Sequence, residues 1–197
     1  MMYKLLLVCL LVVIQGCMLG TRNVTLVYSL KDSTTAHAIE SVPVIGIVAV
    51  RPFLDGRDKK SAIGEVRNNY GGRVSIAVTE NNVAEWAMSA LEHGLKAQGI
   101  RSVPATDTKS GLVVGGELQT VYCVVLFSYV GNVSFLGTID YDGKRVSEKQ
   151  YSNEVIFGMN WAATAASYSE SLTSALSLSI EDFVADIRQA LETKLGS

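Results

Sequence analysis

Apolar and polar positions along this chain change rhythm several times, and each rhythm predicts an element. An unbroken apolar run at residues 5–14 comes first, followed by a short β-prone run, Val24-Thr25-Leu26-Val27-Tyr28. The second run reads either as an edge strand or as an adherent part of a tether. Residues 31–41 are polar and mixed, as in a linker. Val44-Ile45-Gly46-Ile47-Val48-Ala49-Val50 is apolar on both faces, the pattern of a strand inside a sheet, and Pro43 stands at its edge, where a missing N–H costs little. Asp55-Gly56 marks a turn, residues 63–72 read as a loop with glycine punctuation, and residues 74–78 predict a second strand.

Residues 81–99 give the clearest helix. Asn82 is its N-cap, with Glu85 three positions on in the manner of a capping box. Val83, Trp86, Ala87, Ala90, Leu91, Gly94 and Leu95 recur on one face, and Gly99 suits the left-handed residue past the end. Residues 112–127 form the longest β candidate, with a bulge or bend expected at Gly115-Gly116. Alternation over 133–141, the dipeptide Asp142-Gly143 and a charged return over 144–155 predict a half-solvated hairpin. Residues 161–171 read as a loop or an early helical turn. From Leu172, the stripe Ala175, Leu176, Ile180, Phe183, Val184, Ile187 and Leu191 predicts a closing helix. The order strand, strand, helix, three strands, helix predicts an α+β domain over residues 42–197, with two main helices packed on a largely antiparallel or mixed sheet.

The run at 5–14 has a different meaning. Lys4 precedes it, it spans about half of the roughly 20 residues a membrane span needs, and Val13-Ile14-Gln15-Gly16 then places a small residue directly before Cys17. That order is a secretory signal ending in a lipobox. Residues 1–16 are expected to be cleaved, Cys17 to be acylated, and residues 17–41 to serve as lipidated N-terminus and tether. The pattern resembles that of bacterial lipoproteins, whose acylated cysteine holds the chain on a membrane. At about 0.8 kcal/mol per buried methylene, such an anchor is long-lived. Met18, where inner-membrane retention calls for Asp, implies the outer membrane, facing the periplasm.

Composition narrows the chemistry. Of the three cysteines, Cys9 leaves with the signal and Cys17 takes the lipid, so Cys123 remains as a lone thiol within an apolar run and is read as a core residue. With Lys4 removed, 16 basic side chains face 19 acidic ones, which offers no footprint for nucleic acid. His37 and His93 are far apart and lack the clustering of metal ligands, so no metal and no cofactor is expected. Asp55, Asp58 and Glu65 read as ordinary loop carboxylates. The glycine cluster from Gly111 to Gly116 lacks the Lys-Ser or Lys-Thr of a phosphate loop. No nucleophile motif accompanies His93, and the chain is not expected to be an enzyme.

The lipobox, the run Thr25-Leu26-Val27-Tyr28, Arg51-Pro52-Phe53-Leu54-Asp55-Gly56-Arg57, Leu95-Lys96-Ala97-Gln98-Gly99, and Tyr141-Asp142-Gly143-Lys144 with Tyr151 together resemble the YajG-like lipoproteins of proteobacteria. The resemblance covers most of the mature chain and implies a small envelope lipoprotein with no catalytic residues to carry over. Two roles fit these expectations. One is an accessory module that grips another envelope protein by a sheet edge or by the loop 51–72. The other is a carrier of a lipid or small apolar ligand in a pocket between helices and sheet.

Overall fold

A fourteen-residue strand, Leu112–Val125, is the axis of the sheet, and it is served differently on its two edges. We describe the protein from a computed structural model covering residues 20–28, 43–106, 111–158 and 164–195. In chain order its strands are β1 (Gly20–Asn23), β2 (Gly46–Val50), β3 (Leu54–Asp55), β4 (Ala62–Arg67), β5 (Arg73–Val78), β6 (Ile100–Pro104), β7 (Leu112–Val125), β8 (Tyr129–Tyr141) and β9 (Lys144–Phe157). The helices are α1 (Val83–Ala97) and α2 (Ala165–Leu195).

Along one edge of β7, β8 runs antiparallel for its whole length, and β9 pairs in turn with β8. Along the other edge, three short strands follow one another in parallel. β2 pairs at Val113 and Val114, β3 at Glu117 and Leu118, and β4 at Cys123 to Val125. The sheet then forks. β6 extends it beyond β2, while antiparallel β5 and then parallel β1 extend it beyond β4. It is a mixed sheet with two helices on it, the α+β class expected.

Both helices cover one face. On α2, Tyr168, Leu172, Ala175, Leu176, Ile180, Phe183, Val184, Ile187 and Leu191 are all buried, and the ring of Phe183 meets those of Phe135 and Tyr151 at centroid distances of 5.6 and 4.9 Å. Removing this apolar surface from water, at about 25 cal/mol per Å2, drives the layer together. Glycines let the backbones approach. A Cβ at Gly64 would come 2.8 Å from the Tyr168 ring, and one at Gly137 would come 2.6 Å from that of Tyr151.

Helix α1 starts as expected. Asn82 Oδ1 accepts from the N–H groups of Ala84 and Glu85, and its amide donates to Glu85 Oε1 at 2.9 Å, so Glu85 closes the box on the side chain of the cap. Gly99 has φ +70 just past the end. The hairpin turn is also as expected, with Asp142 and Gly143 both at positive φ.

Other expectations are corrected. Gly20–Asn23 pairs with β5, the N–H of Val24 donates to the Val78 carbonyl, and Val24 and Leu26 are buried, so residues 20–28 belong to the domain and not to a tether. The strand lies one step before the apolar run, which supplies core side chains. The loop 51–72 contains β3, which pairs with distant β7, and β4, which pairs with the next strand, β5, and with β7. The irregularity in β7 falls between Leu118 and Thr120, not at Gly115-Gly116. Gly116 instead clears the ring of Phe53, into which a Cβ would run. α2 begins seven residues before Leu172.

Candidate functional site

The chemistry-bearing side chains are best followed face by face. On the face of the sheet turned away from the helices, Asp140 of β8 lies between Arg51 and Arg145 and is ion-paired with both, and Arg145 also reaches Glu148. Burial works against the charged carboxylate, but the two guanidiniums outweigh it and hold its pKa below the usual 3.8. Further along the same face, Glu65 pairs with Arg67 and accepts from the Tyr122 hydroxyl at 2.9 Å. Its carboxyl is also lowered, against the opposing effect of burial. The Tyr122 phenol is pushed up to about 12, first by burial and then by Glu65. These carboxylates are in contact with guanidiniums, an arrangement that ties neighbouring strand segments together.

Asp55 accepts two hydrogen bonds from the Arg57 guanidinium, at 2.8 and 2.9 Å, and one from the Arg57 N–H at 3.2 Å, and these lower its pKa. Asp58 is exposed. Asp55 and Glu65 thus stand on strands, each paired with an arginine. His93 Nδ1 donates to the Ser89 carbonyl at 2.7 Å, and its ring lies 5.4 Å from that of Tyr28. Cys123 is fully buried, and burial pushes its thiol up to about 12, so it is an inert core residue. Gly111 to Gly116 lead into and form the start of β7 and make no phosphate cradle. Among the described residues no three His, Cys, Asp or Glu side chains gather as metal ligands. His37 and the lipobox residues Val13, Ile14, Gln15, Gly16 and Cys17 lie outside the described residues.

Recesses occur where the segment after β1 crosses α2. One groove of about 540 Å3 runs between residues 23–28 and the first half of α2, lined by Thr25, Val27, Ser169, Thr173 and Ser177 among others. A second of about 540 Å3 lies between the two helices, with Gly94, Ala97, Ile180 and Val184 on its floor and Glu181, Arg188 and Glu192 at its rim. Tyr28 lines both, and its hydroxyl lies 3.3 Å from Ser177 Oγ. The interface between helices and sheet, where the alternative carrier reading placed a pocket, is occupied by the core side chains named above.

The third feature is an edge. Among the described residues β9 hydrogen-bonds on one side only, to β8, over fourteen residues. Its exposed side chains include Lys144, Arg145, Glu148, Lys149 and Glu154. Sequence reading found the hairpin and its charges. That β9 ends the sheet was hidden, because an edge position is defined by which strands pair elsewhere.

No family model matches the sequence, and no curated protein matches it. In fold the chain is similar to a protein from Xanthomonas campestris matched by the family model DUF330, with a TM-score of 0.61 at 10% identity, covering 90% of this chain and 99% of that one. A second solved structure, described as an uncharacterized protein, aligns with a TM-score of 0.54 at 8% identity over 85% of this chain and 99% of its own. Lipoprotein GNA1162 from Neisseria meningitidis aligns with a TM-score of only 0.36 at 12% identity, over 78% of this chain and 99% of its own. At these identities the first two likenesses establish the fold and nothing finer.

Proposed function

We propose that this chain is a bacterial envelope lipoprotein of the YajG-like kind, acylated on Cys17 and facing the periplasm from the outer membrane, whose domain is a noncatalytic interaction module. The observation that carries the interaction role is the edge of β9 that no other described strand covers. A fourteen-residue strand paired on one side presents a row of N–H and C=O groups to which an extended segment of a partner can add. Its charges discourage pairing with a second copy of itself, so the edge favours a partner of matching charge pattern. The anchor rests on the lipobox ending at Cys17. No described helix is long and apolar enough to cross a membrane, so the proposed attachment is through acyl chains.

Photo-crosslinking in cells from Gln150 or Ser152, both exposed on this edge, is expected to trap a discrete envelope protein identifiable by mass spectrometry. Absence of any adduct along β9 overturns the edge reading. Cys17→Ser is expected to abolish globomycin-sensitive processing and membrane fractionation, and a variant that stays acylated and membrane-bound overturns the anchor. The carrier reading is favoured by the apolar floor of the α1–α2 groove. It predicts a copurifying lipid detectable by mass spectrometry of the purified domain.

A further inference from the structure

The end of the sheet to which Cys17 is tied carries a set of exposed apolar tips. Only Met18 and Leu19 separate Cys17 from Gly20, the first residue of β1, so Cys17 Cα lies within about 11 Å of Gly20 Cα at 3.8 Å per residue. Strand registers show what else is at this end. Gly20 pairs with Ser75, two residues after β5 begins, and β5 enters from the turn at residues 68–72. β4, which feeds that turn, ends with Val66 beside Val125, the last residue of β7. Leu126 and Phe127 follow, then β8 starts at Tyr129, opposite Phe157.

The tips at this end are apolar, and at least one is firmly held. Tyr70 is 97% exposed, Phe127 63% and Leu126 46%, while Ile156, beside Val130 at the end of β9, is 70% exposed. The 68–72 turn is built on Asn68, whose Oδ1 accepts from the N–H groups of Tyr70 and Gly72, with Gly71 at φ +79. The tyrosine is thus displayed on a structured turn. At the base of that turn Arg67, which is paired with Glu65, and Arg73 stand opposite one another. Aromatic and aliphatic tips above a basic base are the chemistry of a surface that enters the headgroup layer of a phospholipid membrane. The exposed residues Val44 and Ile47 lie near the opposite end, about 40 Å away along thirteen-residue β8, beyond reach of the anchor.

We propose that this end of the sheet, through Tyr70, Leu126, Phe127 and Ile156, docks on the phospholipid surface that holds the acyl chains, standing the domain upright with the Asp142-Gly143 hairpin turn pointing away. The inference rests on acylation of Cys17. The test uses the acylated full-length mature protein in phosphatidylethanolamine–phosphatidylglycerol vesicles containing nitroxide-labelled lipid. A fluorophore is placed at Asn69→Cys, or at Val146→Cys near the opposite end, and buried Cys123 does not compete for it. Strong quenching at position 69 and none at 146 is the expected result. Tyr70→Ser combined with Leu126→Ser, both at exposed positions, is expected to weaken quenching at 69 with the melting temperature kept. Mass spectrometry of the same sample separates the failures. An intact acyl mass with no quenching at 69, with equal quenching at both positions, or with quenching unchanged in the double variant overturns the docked tips alone. A missing acyl mass on Cys17 overturns the anchor, and the docking with it.

Discussion

Gly131 of β8 lies directly beneath Ser171 of α2, so close that a Cβ at position 131 would come 2.8 Å from the Ser171 carbonyl oxygen. It would also strike Ser171 Oγ, which can rotate away, but the backbone carbonyl cannot, so rotamer change gives no full relief. Gly131→Ala is expected to destabilise the domain by about 1–3 kcal/mol, the usual cost of forcing extra atoms into a packed interface. Gly158→Ala, where no atom lies within 4 Å of the added carbon, should leave stability nearly unchanged. Urea midpoints of the two variants check the pair.

Phe183 and Leu91 test the two helix faces. Phe183 is completely buried between the rings of Phe135 and Tyr151, and Phe183→Ala should cost about 3–5 kcal/mol. Leu91 is equally buried on α1, and Leu91→Asp, which places an unpaired charge there, is expected to prevent folding. Thermal denaturation followed by circular dichroism reads both.

Asp140 carries a pH dependence of definite sign. Its carboxyl is held below 3.8 because Arg51 and Arg145 outweigh the opposing effect of burial. The folded state therefore binds its proton more weakly than the unfolded state does. The resulting stabilisation is complete above the ordinary carboxylate range and is lost as pH falls through 3.8 and below. Both arginines are nearly half exposed, which limits the effect to about 1 kcal/mol. Asp140→Asn should show that deficit near neutral pH, and the gap to wild type should narrow as pH falls below 3.8. Paired urea titrations across this range measure it.

Cys123 reports on unfolding. Burial pushes its thiol up to about 12 and shields it from reagents. A maleimide at mildly alkaline pH is expected to leave the native mature chain unlabelled at this position and to label it fully in urea, with the transition tracking loss of circular dichroism. Fast labelling of the native protein would contradict the burial.

The Asp142-Gly143 turn, the Asn82 cap and the Leu172-to-Leu191 stripe were legible in advance because each depends on neighbours a few residues away. β3, β4 and β6 were not. β3 is two residues long and exists because Leu54 and Asp55 meet Glu117 and Leu118. β6 follows α1 directly and exists because Ile100 to Pro104 find β2. The glycine pair in β7 looked like a bulge because sequence shows a missing side chain but not the Phe53 ring that needs the space. Asp55 and Glu65 looked like loose carboxylates because their strands could not be seen.

Local periodicity, turn chemistry and a contiguous motif sufficed for the α+β class, the two helix faces, the hairpin turn and the expectation of an acylated Cys17. It took the packed chain to bring three parallel strands to one edge of β7, to leave one edge of β9 uncovered among the described residues, to fill the helix–sheet interface with core side chains, and to collect Tyr70, Leu126, Phe127 and Ile156 at the end where β1 begins. These are matters of register between residues as far apart as Gly20 and Ser75 or Val130 and Ile156. Such registers are set by the simultaneous burial of one sheet face beneath two helices, a condition on the whole chain that no short stretch of it expresses.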